Sequence, residues 1–413
     1  MSGKMRKLLV PQYVRQFRCI GTNCEDTCCI GWQVAIDKDT FKRYRACTDK
    51  ELRHQMEAKV TRQRTEPSNE NYAKIKLNED GSCPFLATDK LCIIQYKLGE
   101  GYLSHVCSTY PRLTNKVNGI VEKSLTMSCP EALRLALLNP ELMEFDETEE
   151  NTAACNMIGR EFTTDAPNTI PVVRYFWQLR IFCISLLQNR SYRVWQRLTI
   201  LGLFCRSLDQ LLGDAKAHEI PGLIDTYLDY LNNDSFRCEM KNIPNAVTIQ
   251  MKLMKELADT RLFQGIASKR FYECFGEFLA GIEYIAEDSK ENIGQRYAAA
   301  YVQYYQPFMD EREYVLENYL VNYVFKSLFP LGQSKHVFDN YTMLVVHYAL
   351  IKLFLIGMAG FHKENFGIEH VVKLIQSFSR EIEHNYPFLK LILDLFRENG
   401  YNTMPYMAIL IKN

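Results

Sequence analysis

Beyond residue 170, apolar residues recur every three to four positions in long blocks, the spacing that lays a stripe along a helix. The blocks run over roughly 172–189, 193–212, 221–232, 244–259, 265–285, 294–306, 310–329, 338–358, 364–382 and 386–398. No fixed repeat of solenoid length relates them. The first third reads differently. Tyr13 and Phe17, four apart, share one face of a short helix. Val34-Ala35-Ile36 is a brief apolar run, and Asp37 to Thr40 offer caps for a charged amphipathic helix over roughly 40–60. Residues 61–72 are polar and turn-rich, a surface loop. Ala73 to Leu77 alternate at period two and predict a short strand. Val117-Asn118-Gly119-Ile120-Val121 predicts a hairpin, because Asn-Gly suits the type I′ turn. A helix starts at Pro130 and runs through Leu138.

Between these halves the pattern lapses. Glu141, Glu144, Asp146, Glu147, Glu149 and Glu150 make the segment acidic, and Pro140, Pro167 and Pro171 punctuate it. The predicted architecture is mainly α. A cysteine-rich, metal-binding N-terminal module with little β structure (1–140) packs on a larger all-α domain (171–413), joined by an acidic linker (141–170).

Charge adds a polarity to this plan. The chain is neutral overall, but residues 1–130 carry 21 Lys+Arg against 14 Asp+Glu, a surplus of +7 that the remainder cancels. Neither part is basic enough to argue for nucleic acid. The charged start, Met1 to Lys7, is followed by Leu8-Leu9-Val10, which Pro11 cuts short of a secretory h-region. The most apolar window, Met343 to Phe361, is broken by His347 and Lys352 and reads as a buried helix rather than a membrane span. An unsignalled chain with 14 cysteines belongs in a reducing compartment, the cytoplasm, with its sulfurs as thiols or metal ligands.

Eight of those cysteines are concentrated early. Cys19, Cys24, Cys28 and Cys29 fall within eleven residues, with Gly21 and Gly31 supplying turns, and Cys83, Cys92, Cys107 and Cys129 follow beside turns of their own. Thiolates are soft ligands that select zinc or iron–sulfur chemistry. Eight would fill two structural zinc sites, or three or four would hold one iron–sulfur cluster. The spacing matches neither the common ferredoxin patterns nor the Cys-x3-Cys-x2-Cys triplet of radical enzymes, since Cys29 arrives too soon after Cys28. The remaining six, Cys47, Cys155, Cys183, Cys205, Cys238 and Cys274, are scattered singly and read as core hydrophobes. Near the thiols, His105, Tyr110 and the pair Glu25-Asp26 are candidate proton carriers, and Arg112 a candidate cofactor contact. In the helical half, Asn318, Tyr319 and Asn322 recur at helical spacing as amide and ring contacts for a cofactor, or as bonded core groups. No Gly-x-Gly-x-x-Gly follows a strand, and no Ser-His-Asp or His-Glu-x-x-His pattern is present.

The run Lys7-Leu8-Leu9-Val10-Pro11-Gln12-Tyr13 into the cysteine knuckle resembles the start of bacterial flagellin lysine-N-methylases, the FliB family. So do Cys83-Pro84-Phe85-Leu86, Leu91-Cys92, Leu103-Ser104 before Cys107, Tyr110-Pro111-Arg112 and the Glu317 to Pro330 stretch. The cysteine part is shared with small zinc- or iron-chelating proteins; the later stretch and the length favour the methylase. The resemblance implies methyl transfer from S-adenosylmethionine to lysine ε-amines of flagellin, and a [4Fe–4S] cluster, with zinc the alternative. A non-catalytic metal chelator whose helical half binds a partner is the rival reading.

Overall fold

The computed structural model of the chain describes residues 5–151, 157–233, 235–240, 268–285 and 287–412, with positions 243, 247, 250, 255 and 265. It is mainly helical with a small sheet component, 59% against 11%. The chain divides into two compact units, Met1–Ala132 with Phe145–Glu161, and Leu133–Glu144 with Phe162–Asn413. Most of the predicted helix 244–259, Cys155 and the Cys238 side chain lie outside the described residues.

The first unit holds more β structure than its sequence suggested. Strands β1 (Met5–Pro11), β2 (Ala35–Ile36), β3 (Val60–Arg62), β4 (Ala73–Ile75), β5 (Arg112–Val117), β6 (Ile120–Leu125), β7 (Phe145–Asn151) and β8 (Ile158–Phe162) form two sheets. Five strands run in the order β7-β1-β6-β5-β8 and three in the order β2-β4-β3. The acidic segment is therefore not a linker: β7 and β8 are sheet edges. The reason is cross-strand charge. β7 pairs antiparallel with the basic β1, placing Arg6 opposite Glu150 and Lys7 opposite Glu149. Arg6 binds the Glu150 carboxylate at 2.7 Å, and Lys123 of β6 closes on its other oxygen. Such opposed pairs each add a few tenths to about 1 kcal/mol to a sheet. The hairpin forms as predicted, with both turn residues, Asn118 and Gly119, at positive φ. Tyr13, in the short helix α1 (Gln12–Gln16), tucks its hydroxyl onto the Leu125 amide at 3.1 Å.

The predicted 40–60 helix is two helices. α2 (Lys38–Arg45) is capped by Asp37, which accepts from the Thr40 amide. α3 (Lys50–Lys59) is capped by Asp49, which accepts from the Leu52 amide. A side-chain acceptor satisfies an orphan amide, so a second Asp restarts the chain as a new helix. α4 (Ile93–Leu98), α5 (His105–Thr109) and α6 (Pro130–Leu137) complete the early helices.

The second unit is built around the 26-residue helix Val337–His362, long and apolar enough to cross a membrane but 89% buried over its most apolar window. It is the core helix of this unit, which explains its lack of a polar face. The helix Lys269–Gly281 crosses it where glycines meet: a Cβ on Gly281 would stand 1.8 Å from the Gly357 carbonyl oxygen. Gly281→Ala is therefore expected to lower the thermal midpoint markedly, because backbone rather than a flexible side chain must yield. A calorimetric scan checks this; an unchanged midpoint would mean the crossing is looser than it stands.

Two five-residue π-helical segments, Tyr301–Tyr305 and Ser379–Glu383, interrupt blocks read as single helices. The second ends on Glu383, a buried carboxylate that receives the Tyr319 hydroxyl and the Lys326 ammonium, with Ser379 Oγ at 3.0 Å. Burial alone would raise its pKa; Lys326 and His347 outweigh that and hold it at about 2, against 4.5 ordinarily. Neither ring nitrogen of His347 has a hydrogen-bond partner among the described residues, and burial pushes its pKa from 6.5 to about 4. Both groups bind protons more readily unfolded than folded, so acid favours unfolding. The midpoint is expected to fall as pH drops from 6.5 towards 4, and further between 4.5 and 2. Glu383→Gln should flatten the lower limb; a midpoint independent of pH there would contradict the assignment.

Candidate functional site

Main-chain pairing gathers the dispersed thiols of the first unit. The Cys83 amide donates to the Cys29 carbonyl at 2.8 Å, and Gly31 donates to the Gly81 carbonyl at 3.0 Å. One residue pair further on, Leu86 bridges to Cys92, and the Ile93 amide donates to the Phe85 carbonyl at 2.8 Å. Gly31 and Gly81 have positive φ, so the two turns close without a Cβ penalty. Cys107 enters on the first turn of α5, which Ser104 caps by accepting from the Cys107 amide at 3.3 Å. These thiols line the hydrophobic core of the unit beside Tyr44, Phe85 and Ile94.

The eight predicted ligands sort into two sets by the charges they feel. Cys28, Cys29, Cys83, Cys92 and Cys107 act on one another. Cys19, Cys24 and Cys129 form the other. The eight thus divide as five and three rather than as the two sets of four that paired zinc sites would need. Among the described residues, no three or more Cys, His, Asp or Glu groups stand close enough together to hold an ion. The donor chemistry nonetheless suits a soft cation. Backbone amides point at several sulfurs: those of Ile94 and Gln95 at Cys92, of Phe85 at Cys83, and of Glu131 and Ala132 at Cys129. Such bonds favour a thiolate. Burial prevails without a cation, pushing Cys83 up to about 11 and Cys107 and Cys129 up to about 12. Cys29 is raised further, first by its hydrogen bond with Cys28 and then by burial. A bound cation would invert this balance.

Around the five-thiol set stand groups of two origins. His105 was expected, and its Nε2 lies 3.9 Å from Asp37 Oδ2. Asp37 and Tyr44 were not. Asp37 is buried, and its Oδ2 accepts no hydrogen bond among the described residues. Burial works against its charge, but the Thr40 amide and hydroxyl, with His105, hold the carboxyl below its usual range. Burial raises the pKa of the Tyr44 phenol, and Cys107, Cys92, Cys83 and Asp37 add to the rise. Asp37 is visible in the sequence as a cap; nothing local announces what its second oxygen faces.

The other predicted residues are spread out. Tyr110 packs on Trp32 at 5.7 Å between ring centroids and bonds Ser128 Oγ at 3.2 Å, while Trp32 donates to the Cys28 carbonyl at 2.6 Å. Asp26 accepts from the Thr27 amide at 2.8 Å, and Glu25 and Asp26 act electrostatically on Cys24, in the three-thiol set. Arg112 lies over the Phe17 ring, 5.2 Å from its centroid. In the second unit Asn318 donates to the Asn139 carbonyl at 2.9 Å, Tyr319 is committed to Glu383, and Asn322 is fully buried. Asn318 and Tyr319 thus serve packing, the alternative their spacing had left open.

Residues 180–410 match the model of the FliB lysine N-methylase C-terminal domain. That match spans more than half of the chain. The chain belongs to the FliB lysine N-methylase family. Its relatives include the lysine-N-methylases of Salmonella typhimurium and Salmonella choleraesuis, each 25% identical over 385 residues and covering 91% of both chains. A flagellar biosynthetic protein, FliU of Salmonella muenchen, is 36% identical over 138 residues, 33% of this chain and 80% of that one. No solved structure matches. The FliB domain match covers the helical unit that carries Glu317, Glu383 and the core helix, and excludes every one of the eight early cysteines.

Proposed function

We propose that this chain transfers methyl groups from S-adenosylmethionine to lysine ε-amines of flagellin. The observation that carries the reading is the likeness to lysine-N-methylases along 91% of both chains; the flagellar name of the FliU relative supports a substrate of that organelle. The chemistry is a displacement. The amine lone pair forms the N–C bond, the methyl–sulfur bond breaks, and its electron pair leaves on sulfur as a neutral thioether. The donor supplies an already activated methyl group, so the protein must align nitrogen, carbon and sulfur and accept one proton from an ammonium of reference pKa ~10.4. His105, whose Nε2 lies 3.9 Å from Asp37 Oδ2, is the group we assign to accept that proton.

In the same reading the thiolates for a [4Fe–4S] cluster, or for zinc, would come from Cys28, Cys29, Cys83, Cys92 and Cys107. Its charge would allow these thiols to ionise, and a cluster bound by only three of them would offer its fourth iron to the amino and carboxylate groups of the donor. Brown colour with visible absorption, bleached by reductant, marks iron–sulfur, whereas d10 zinc is colourless. The function is tested with anaerobically purified protein, labelled donor and flagellin, reading methyl-lysine by mass spectrometry. Methyl-lysine is expected; none from metal-replete protein would leave the chelator reading.

A further inference from the structure

A narrow cleft opens between α2 and α3, lined by Phe41, Tyr44, Arg45, Met56, Glu57 and Val60. Its buried side is Tyr44, Met56 and Val60, and its exposed rim is Arg45 and Glu57. The volume is about 70 Å³. A water-sized group needs about 10–15 Å³ by this measure, so the cleft takes a short chain of five or so atoms. Its inner wall, Tyr44, is the same phenol that feels Cys83, Cys92 and Cys107. The cleft and the five-thiol set are therefore two sides of one tyrosine.

We propose that this cleft receives the side chain of a substrate lysine, its methylenes on Met56 and Val60 and its amine against Tyr44. The proposal rests on the lysine-methylation reading and gives it a place. A lysine side chain is four methylenes ending in one nitrogen, an apolar stem with a polar tip, which suits an apolar wall with a phenol beside it. The Phe41 ring already holds cations, the Arg45 and Arg62 guanidiniums lying over it 5.5 and 6.0 Å from its centroid, so an incoming ammonium must find its counter-charge elsewhere on the rim. Among the described residues none pairs with the Glu57 carboxylate, which leaves that charge to an incoming ammonium. Glu57 thus draws the cation to the mouth, and the apolar wall beyond it accommodates the stem.

The test uses the full chain with its metal and Nα-acetyl-lysine amide as probe, following the Met56 methyl resonance by NMR. Saturable movement with the lysine probe is expected, and none with the norleucine analogue, which lacks the amine. Val60→Phe should fill the cleft and abolish the movement; the exposed Glu57→Gln should weaken it while leaving the fold intact. Both should raise KM for flagellin roughly ten-fold or more at unchanged metal content. A Met56 resonance that ignores the lysine probe, or variants with wild-type KM, would overturn the cleft assignment even if the wild type methylates flagellin. Conversely, absence of methylation alongside probe binding defeats the methylation reading and leaves the cleft an amine site.

Discussion

Cys92→Ser is expected to empty the proposed metal centre, while Cys129→Ser keeps it. Cys92 belongs to the set in which Cys28, Cys29, Cys83 and Cys107 feel one another's charge. It also caps α4, where two backbone amides point at its sulfur. A serine oxygen fits that turn but is a harder, less readily ionised ligand, so a soft metal is lost. Cys129 is half-buried and feels Cys24 and Cys19 instead. Metal analysis of the two variants, purified without oxygen, decides the matter. Equal metal loss in both would show that the two thiol sets act as one site. Unchanged metal in Cys92→Ser would remove that cysteine from the ligand set. Methyl transfer should follow metal content in both variants.

Glu317→Ala is expected to be the most destabilising single change in the helical unit. The Glu317 carboxylate is 1% exposed and receives Arg197 at 2.6 Å and Arg190 at 2.9 Å. Arg197, itself 3% exposed, also donates to the Tyr192 carbonyl at 2.7 Å and the Leu187 carbonyl at 2.6 Å. Removing the carboxylate leaves the desolvated Arg197 guanidinium only the longer pair with Glu313 at 3.7 Å, and breaking such a buried pair costs about 3–5 kcal/mol. For a unit of this size that lowers the thermal midpoint on the order of 10 °C. The double variant Glu317→Leu/Arg197→Met removes both charges and should recover much of the loss, because a buried pair gains little over apolar groups of like volume. A double variant as unstable as Glu317→Ala would mean that the carbonyl bonds of Arg197, rather than its charge pair, hold this corner.

The two expected results lie at opposite ends of what a reader of the sequence can see. The cysteines are conspicuous because eight thiols in one third of a chain have few other uses. The Glu317 network is silent, since one Glu in an apolar helix announces no partner 120 positions away. Local pattern predicts structure well where the structure itself is local. The helix Tyr386–Glu398 was read correctly because burial on one side writes its own period. The Asn118-Gly119 hairpin was read correctly because that dipeptide tolerates positive φ. Pattern failed for β1 and β7, whose identity as strands depends on Arg6 meeting Glu150 across 144 positions. It failed too for the π-helical segments, where one extra residue per turn leaves no mark on polarity.

By itself, then, the sequence determined the helical half, the capped turns of the first third and the presence of many soft ligands, because each follows from neighbours along the chain. Tertiary structure alone decided that the thiols sort as five and three, that Asp37 and Tyr44 border the larger set, and that the acidic segment is sheet. Those outcomes depend on which distant backbone carbonyls and charges meet. Charge and burial act through space, and their range is indifferent to the order of residues.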